Sequence, residues 1–488
     1  MNLNHKLILK VIGMVCLIIG GAMLPCFVAS LIFGEYGMTS AFGVIIAAQL
    51  IAGAILVFGI RNVRPSIRVR DGLLVVAMCW LLASVLGALP YVVSGEMDSF
   101  VDGFFESVSS FTTSGATLLS NLAEMPNSLL LWRSLSNWIG GMGILIFAIS
   151  ILPALGMGAA NIMNAETTAP TIDKVKSRMS DNAKHLYLIY FAFTAIEFVL
   201  LMFSGEMSPY DALIHAFGSM ANGGLSNYAD GVHHFNSLYI EIVVAIFCVL
   251  AAMNFISYQL IFRRRFRDFF KEPEIRVFFI ILFGVMILTI FILNWKGVYD
   301  SLGETIRYGF FQVVSFVTTA GYASTDYGAW PGFCKMLMFA ALFVGGCSAS
   351  TSGGLKIIRF SVILALIRRN VYKRLHPNAV VAVKLGEKPI SADRVSNITV
   401  YVFVYMLVFA VGSLILSFDG LSVTTTTSAV IAALSNIGLA FGQLEYNSTY
   451  EIFSAGGRLL LSLLMLIGRL ELFTIILLFT PTFWRPDR

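Results

Sequence analysis

Four short polar turns that contain glycine are the residues of this chain whose types and spacing could do chemistry. Each lies between two apolar runs: Thr112-Thr113-Ser114-Gly115, Ala221-Asn222-Gly223-Gly224, Thr318-Thr319-Ala320-Gly321 and Ser435-Asn436-Ile437-Gly438. The side chains differ between the turns, so a shared chemistry has to come from the backbone. Rings of backbone carbonyl oxygens can replace the hydration shell of a cation. We therefore predict that the four turns form one ion filter.

Within each turn we assign two roles. The residues expected to contact the ion are Thr112, Thr113, Ala221, Asn222, Thr318, Thr319, Ser435 and Asn436. The residues expected to form the turn are Ser114, Gly115, Gly223, Gly224, Ala320, Gly321, Ile437 and Gly438. Glycine permits a positive φ, which would aim carbonyl groups at an axis and then let the chain leave. A single turn of this kind is more often a helix kink, and only the four equivalent copies favour a filter.

The composition places these turns in a membrane. Of the 488 residues, 57% are hydrophobic and 12% are charged, whereas soluble domains have about 25% charged residues. Many apolar runs approach the ~20 residues that cross a bilayer as a helix. The first run, about 7–33, is too long for a signal peptide, so we expect it to be retained. The six cysteines are scattered and form no C-x-x-C pair, which argues against a disulfide framework or a zinc site.

The order of apolar and basic segments predicts an all-α polytopic membrane protein with pseudo-fourfold repeats around a central pore. An N-terminal two-helix hairpin (1–71) precedes four repeats, at 72–183, 184–274, 275–394 and 395–488. Each repeat contains a span, a half-helix, a turn and a second span. The predicted spans number about ten: 7–33, 38–60, 72–94, 128–155, 185–203, 238–262, 277–295, an interrupted run 333–367, 398–418 and 452–479.

Basic residues set the expected orientation. They cluster at 61–70, 174–184, 263–276 and 368–374, while the opposite turns carry mostly acids. Because positive residues favour the cytoplasmic side, all repeats should share one orientation, with both termini in the cytoplasm.

The third repeat is interrupted by small residues at 345–354. The members that we consider part of a gate are Gly345, Gly346, Ser350, Thr351, Gly353 and Gly354. Glycine costs about 1 kcal/mol against alanine in a helix, so this stretch should leave the helical conformation. One interpretation is a packing patch between helices. The other is an intramembrane loop that blocks conduction below the filter.

Arg469 is the second candidate for the gate. It lies between apolar runs at 459–468 and 472–480, and an arginine at that depth costs roughly 2.5–3.5 kcal/mol. It could form a structural ion pair with Glu471, or it could bond the carbonyl groups of the 345–354 loop and repel cations. Lys356 is a weaker candidate, because it lies near the inner end and could extend its amine to the surface.

Several motifs resemble those of the TrkH branch of the TrkH/KtrB superfamily of potassium uptake proteins, over essentially the whole chain. They are the turns at 112–117 and 318–322, Trp138–Ile144, Gly345–Cys347, Gly353–Lys356, His376–Val380, Gly468–Glu471 and Phe479–Arg485. The resemblance implies a homodimer with one pore per subunit, potassium as the transported ion, no organic cofactor in this chain, and a cytoplasmic TrkA-like partner that binds a nucleotide and gates the pore. The second and fourth turns depart from the family pattern, which leaves the preference for K⁺ over Na⁺ open.

Three function classes follow. The first is a gated potassium pore in the bacterial inner membrane. The second is a symporter that couples K⁺ to Na⁺ or H⁺ through the same filter; no buried acid near the filter stands out as a proton relay, which disfavours H⁺. The third is a membrane enzyme, which the absence of H-E-x-x-H, G-x-S-x-G and P-loop motifs disfavours. No feature indicates a nucleic-acid partner.

Overall fold

The structure, a computed structural model, describes residues 5–60, 69–143, 179–379, 381–386, 388–470, 472–478 and 480–484. Several predicted features lie partly or wholly outside these residues: most of the basic clusters at 61–70 and 174–184, the second half of the span at 128–155, Val380, Glu471 and residues 485–488. The boundaries of the five predicted segments remain a prediction.

The described chain is almost entirely helical. Its helices are α1 His5–Ala22, α2 Leu24–Ile32, α3 Tyr36–Gly59, α4 Val69–Val93, α5 Phe100–Phe111, α6 Asn127–Gly141, α7 Met179–Met202, α8 Pro209–Met220, α9 Leu238–Ala252, α10 Tyr258–Phe262, α11 Phe266–Lys271, α12 Pro273–Lys296, α13 Leu302–Val317, α14 Gly332–Val344, α15 Ile357–Leu375, α16 Ala392–Leu416, α17 Val423–Ser435, α18 Ala455–Leu470, α19 Leu472–Leu478 and α20 Pro481–Trp484. Two short antiparallel strands, β1 Lys384–Leu385 and β2 Lys388–Pro389, form a hairpin that the sequence did not predict.

Six helical segments are long and apolar enough to cross a membrane. They are His5–Ile32, Tyr36–Gly59, Arg70–Val93, His185–Met202, Pro273–Lys296 and Ala392–Asp419. They include the two spans of the N-terminal hairpin and the first span of every repeat. The prediction of a helical membrane protein with several spans is therefore confirmed.

Two of the predicted second spans end early, which corrects the sequence predictions. The helices predicted at 128–155 and 238–262 end at Gly141 and Ala252, whereas in the fourth repeat α18 and α19 are separated by Glu471, which lies outside the described residues. At Ala252 the cause is visible, since Cys347 and Thr351 donate their N–H groups to the carbonyl oxygens of Ala252 (2.9 Å) and Ala251 (3.2 Å). A helix that continued would need those carbonyl groups for its own ladder.

Four half-helices lie between the paired spans: α5, α8, α13 and α17. Each begins at a serine N-cap, namely Ser99, Ser208, Ser301 and Ser422, whose hydroxyl oxygen accepts a hydrogen bond from an N–H of the first turn. A serine at this position stabilises a helix start by about 1 kcal/mol. The third half-helix has 16 residues, whereas the others have 12 or 13, so the repeats are equivalent but not identical.

Glu35 attaches the N-terminal hairpin to the first repeat. Its carboxylate accepts hydrogen bonds from the N–H groups of Asn127 (2.6 Å) and Ser128 (3.1 Å), at the start of α6. It also accepts one from the Ser128 hydroxyl. A carboxylate at a helix N-terminus is stabilised both by these orphan N–H donors and by the helix dipole.

Replacement of Glu35 by alanine is expected to lower the free energy of unfolding by about 1–3 kcal/mol, because it removes charge-assisted hydrogen bonds. Thermal unfolding of the detergent-purified protein measures the effect. Glu96→Ala, which removes an exposed acid from a loop, is the control and should change the unfolding temperature little. Equal losses in the two variants would contradict the role of Glu35.

Candidate functional site

Every half-helix ends with one residue in the left-handed region, which is the first feature of the site. These residues are Thr113, Asn222, Thr319 and Asn436, with φ between 51° and 59°. In the first half-helix, Thr113 N–H bonds to Ser110 O (3.0 Å) and Ser114 N–H bonds to Ser109 O (2.8 Å); the other three repeat this pattern. Helices usually close in this way with glycine. Asparagine tolerates the left-handed region, but for threonine it costs roughly 1–2 kcal/mol.

The glycines that end the turns do not all have the same function. Gly115, Gly224 and Gly321 have a positive φ, as the sequence predicts, but Gly438 does not. The expectation is wrong for Gly438, where space is the constraint instead. A Cβ atom on Gly438 would lie 2.6 Å from the carbonyl oxygen of Gly115.

The four central loops, which we define as 112–118, 221–227, 318–324 and 435–441, contact one another in cyclic order. An added Cβ on Gly115 would lie 2.2 Å from Gly223 O, and one on Gly224 would lie 2.5 Å from Ala320 O. One on Gly321 would lie 3.2 Å from Gly438 N. Since Gly438 abuts Gly115, the loops form a closed ring.

A cavity of about 100 Å³ opens on one side of this ring. Its lining includes the last glycine of each turn together with Arg133, Tyr228, Glu445 and Tyr446. Burial and the nearby Asp230 carboxylate raise the pKa of Tyr446 to about 12, so this phenol is neutral at physiological pH. Where the cavity borders the ring, its wall includes the last glycine of each of the four turns.

Eleven carbonyl groups at the centre of the ring lack protein partners among the described residues. In the described part of the chain, no hydrogen bond reaches the carbonyl oxygens of residues 113–115, 222–224, 319–321 and 436–437. Most of these residues are buried. Buried backbone carbonyls are nearly always paired, and irregular backbone at membrane depth is tolerated where it lines water or is enclosed by protein. The ring therefore offers oxygen ligands to a desolvated cation.

Polar side chains of the half-helices hold the outgoing ends of the loops. Leu118, Ser324 and Phe441, each three residues after the last glycine, donate their N–H groups to Glu106 (2.5 Å), Gln312 (3.4 Å) and Ser428 (3.0 Å) respectively. In the second repeat, a ring nitrogen of His215 lies 3.1 Å from the Ser226 hydroxyl. The four anchoring side chains differ in type, but each precedes the last glycine of its turn by nine or ten residues, and this similar spacing is the signal that could have found them.

The 345–354 loop lies against the second and third central loops. The Ser352 hydroxyl donates to Thr318 O (2.6 Å), and Gly353 N–H donates to the Thr319 hydroxyl (2.8 Å). The Asn222 amide group lies 3.1 and 3.3 Å from the Thr351 and Ser352 hydroxyls. The left-handed residues of these two loops thus form the contact with the interruption in the third repeat.

These contacts change the expected set of ion ligands. Thr318 O is already bonded to Ser352, and Ser435 O faces the 345–354 loop, where a Cβ on Gly353 would lie 1.8 Å from it. Thr113, Asn222, Thr319 and Asn436 keep unpaired carbonyl groups, whereas the structure directs Thr318 O and Ser435 O towards the loop. Thr112 and Ala221 are the C-cap residues of their half-helices.

The remaining gate candidates form one compact unit. Gly345 and Gly354 have positive φ and pack together, since a Cβ on Gly345 would lie 2.2 Å from Gly353 O. A Cβ on Gly346 would lie 2.5 Å from the Ser352 hydroxyl, and the Ser350 hydroxyl bonds to Cys347 O (2.5 Å). The Lys356 amine donates to Ser352 O.

Arg469 connects three repeats through its guanidinium group. It donates to Thr351 O (2.8 Å) in the third repeat and to Gly140 O (2.6 Å) and Gly141 O (2.8 Å) in the first. Its own helix, α18, belongs to the fourth repeat. The guanidinium also lies over the Trp80 ring, 5.9 Å from its centroid.

Two buried acids lie close to the ring, and the expectation that no such acid acts as a proton relay stays a prediction. The Glu106 and Glu197 side chains are 0% exposed, and both contact half-helices that end in central loops. Glu197 is not recognisable from a window of apolar sequence, because only the folded helices bring it to the ring.

Comparison with known proteins decides the family. The family model TrkH, described as a cation transport protein, matches residues 38–485. The chain belongs to the TrkH family. The Trk system potassium uptake protein TrkH of Halomonas elongata is 35% identical over 99% of this chain and all of its own length. TrkH of Escherichia coli (strain K12) is 34% identical with the same coverage.

A solved structure agrees with this assignment. The crystal structure of the potassium transporter TrkH from Vibrio parahaemolyticus superposes with a TM-score of 0.89 and 31% identity, over 99% of this chain and 100% of that chain. The family predicted from the motifs is thus confirmed. TrkH-family proteins are potassium uptake transporters and not enzymes.

In this TrkH-family chain, a buried ion pair stands beside the ring. Arg133 Nε lies 3.3 Å from Glu106 Oε2, with 3% and 1% of the two side chains exposed. Arg133 also donates to Ser226 O (3.1 Å), and Glu106 also accepts from the Thr117 hydroxyl (2.7 Å). The pair therefore links the first and second central loops. In it, the Glu106 carboxylate compensates the positive charge of the Arg133 guanidinium, which lines the cavity.

Removal of either partner of this pair is expected to destabilise the protein strongly. Glu106→Ala or Arg133→Ala should each cost about 3–5 kcal/mol, because each leaves an uncompensated buried charge. The double variant should cost less than the sum of the two, which thermal unfolding of all four proteins measures as a double-mutant cycle. Strictly additive losses would show that the pair is not coupled.

Proposed function

We propose that this chain carries potassium ions across the bacterial inner membrane through the ring of four central loops, where backbone carbonyl oxygens replace the hydration shell of the ion. The observation that carries the proposal is the set of buried, unpaired carbonyl groups at 113–115, 222–224, 319–321 and 436–437. The relatives named as potassium uptake proteins support the choice of ion.

The electrostatics of the half-helices favour a cation at the ring. All four half-helices end at the central loops, and helix C-termini carry a partial negative charge. The contacts come from the backbone, so the alanine, asparagine and serine of the second and fourth turns preserve the oxygen ligands. The left-handed residues and those that follow them supply most of these oxygens.

The 345–354 loop and Arg469 form the proposed gate. The loop holds two central loops through Ser352 and Gly353, and Arg469 holds the loop through Thr351 O. A guanidinium at this place repels a cation that leaves the ring. Conduction then requires that the loop move away from the ring. Its small residues favour this movement, because they have no bulky side chains to repack.

Two partners complete the proposal. The first is a second copy of the chain, each copy with its own pore. Of the six candidate spans, Pro273–Lys296 and Ala392–Asp419 have the smallest buried fractions, 22% and 17%, and are available to a second copy or to lipid.

The second partner is a cytoplasmic TrkA-like protein that binds a nucleotide and acts on the gate. The exposed arginines at 263–267 agree with a cytoplasmic position for α10 and α11, and we place both termini on that side.

A coupled symporter that uses the same ring is the second candidate, because Glu197 is a buried acid beside the second half-helix. Reversal potentials of the reconstituted protein distinguish the two candidates. A passive pore follows the K⁺ gradient alone, whereas a carrier shifts its reversal potential with an opposing Na⁺ or H⁺ gradient.

Gly115→Ser is expected to reduce the K⁺ over Na⁺ preference by about tenfold or more, since even ~1.4 kcal/mol of distortion has that effect. The new Cβ would lie 2.2 Å from Gly223 O at a φ of +78°. Flux into liposomes with K⁺, Na⁺ and choline gradients measures it. The matched control is Gly95→Ser, which has a similar φ of +81° with nothing within 4 Å. Equal choline and K⁺ flux in the unmodified protein would refute the filter.

Arg469→Gln is expected to raise K⁺ flux in the absence of a cytoplasmic partner by roughly tenfold, a shift of about 1.4 kcal/mol between closed and open populations. Glutamine keeps a donor for Thr351 O but removes the charge. Single-channel recording or liposome flux gives the open fraction. Arg267→Gln, at an exposed position, is the control. An unchanged open fraction in Arg469→Gln would remove the arginine from the gate.

A further inference from the structure

Glu197 lies on α7, within the candidate span His185–Met202, and it is 0% exposed. In the described part of the chain its Oε2 atom has no hydrogen-bond partner, and no ion pair includes this residue. An isolated carboxylate ion in such a place costs several kcal/mol, so a buried acid either finds a cation or keeps its proton.

The geometry at Ser219 locates that proton. Ser219 Oγ lies 2.5 Å from Glu197 Oε1 and 2.7 Å from His215 O. A serine hydroxyl has one hydrogen to donate, and a carbonyl oxygen has none. If that hydrogen goes to His215 O, the short contact with Glu197 needs a hydrogen from the carboxyl group. A protonated Glu197 satisfies both contacts, whereas an ionised one leaves two oxygen atoms facing each other.

Ser219 connects this carboxyl group to the ring. Its carbonyl oxygen accepts the N–H of Asn222 (3.0 Å), the left-handed residue of the second central loop. The Asn222 amide in turn contacts the Thr351 and Ser352 hydroxyls of the proposed gate and, in the satisfied orientation, donates to Cys248 O (3.2 Å). A change at Glu197 therefore reaches both the ring and the gate through two hydrogen-bonded residues.

The groups around Glu197 do not supply a compensating charge. The titratable side chains on the surrounding elements are Tyr190, His215, Cys248 and Tyr322. Arg469, which acts on Tyr190 from a distance, has its guanidinium bonded to the carbonyl groups of Thr351, Gly140 and Gly141.

We propose that Glu197 is a neutral carboxylic acid that donates its proton to Ser219, and that this hydrogen bond fixes the second central loop in its ion-discriminating conformation. Glu197 is thus a positioning residue and not a site of proton coupling. The effect on ion discrimination rests on the proposed function, whereas the protonation state does not.

Infrared spectroscopy of the purified protein at neutral pH tests the protonation state directly. The carbonyl stretch of a carboxylic acid should be present in the unmodified protein and should be lost in Glu197→Gln. Glu96→Gln is the control, because Glu96 is an exposed acid in a loop and its removal should delete no such band. A spectrum in which Glu197→Gln removes only carboxylate absorption overturns the proposal, whatever the transport activity.

Transport measurements test the positioning role. Glu197→Gln keeps a neutral donor for Ser219, so uptake, the K⁺/Na⁺ ratio and their dependence on pH between about 6 and 8 should match the unmodified protein within about twofold. Glu197→Ala should lower the K⁺/Na⁺ ratio by about fivefold, the effect of one lost hydrogen bond.

A pH profile altered by Glu197→Gln would overturn the proposal in favour of H⁺ coupling. If Glu197→Ala does not fold, the glutamine variant and its spectrum still decide. A protein that carries no K⁺ at all refutes the proposed function and leaves the spectrum to judge Glu197.

Discussion

A backbone carbonyl group that leaves a helix inside a membrane has to find a partner, and this requirement governs the arrangement of the whole chain. Four half-helices end near one axis, and the carbonyl groups of residues 113–115, 222–224, 319–321 and 436–437 find no partner among the described residues. The surrounding protein then has to enclose and position these groups. The serine N-caps fix the far ends of the half-helices, and Glu106, Gln312 and Ser428 fix the outgoing loops.

Close packing of the ring explains the small residues around it. A Cβ on Gly140 would lie 1.9 Å from Phe111 O, and one on Gly468 would lie 2.2 Å from Leu434 O. The second helix of a repeat can pass the end of a half-helix only where it has no side chain. The helices α6 and α9 end at this level, where their last carbonyl groups bond to Arg469 or to the 345–354 loop. In α6, close packing and the end of the helix therefore occur at the same place.

The sequence predicted the parts of this arrangement that depend on local pattern. Apolar length identified the first spans, and the recurrence of glycine after short polar pairs located the four turns. The left-handed threonines could not be predicted, because Thr113 and Thr319 have an intrinsic preference for other conformations and are held by the helix ends and the neighbouring loop. The involvement of Thr318 O with Ser352 and the burial of Glu197 depend on contacts between residues far apart in sequence, which a local pattern does not contain.

The three hydrogen bonds of Arg469 have a consequence for cooperativity. One guanidinium group bonds to carbonyl oxygens of the first and third repeats from a helix of the fourth. Its withdrawal would break three hydrogen bonds to two distant segments in a single event. Movement of the loop should therefore be an all-or-none transition, with discrete conductance levels in place of a graded response.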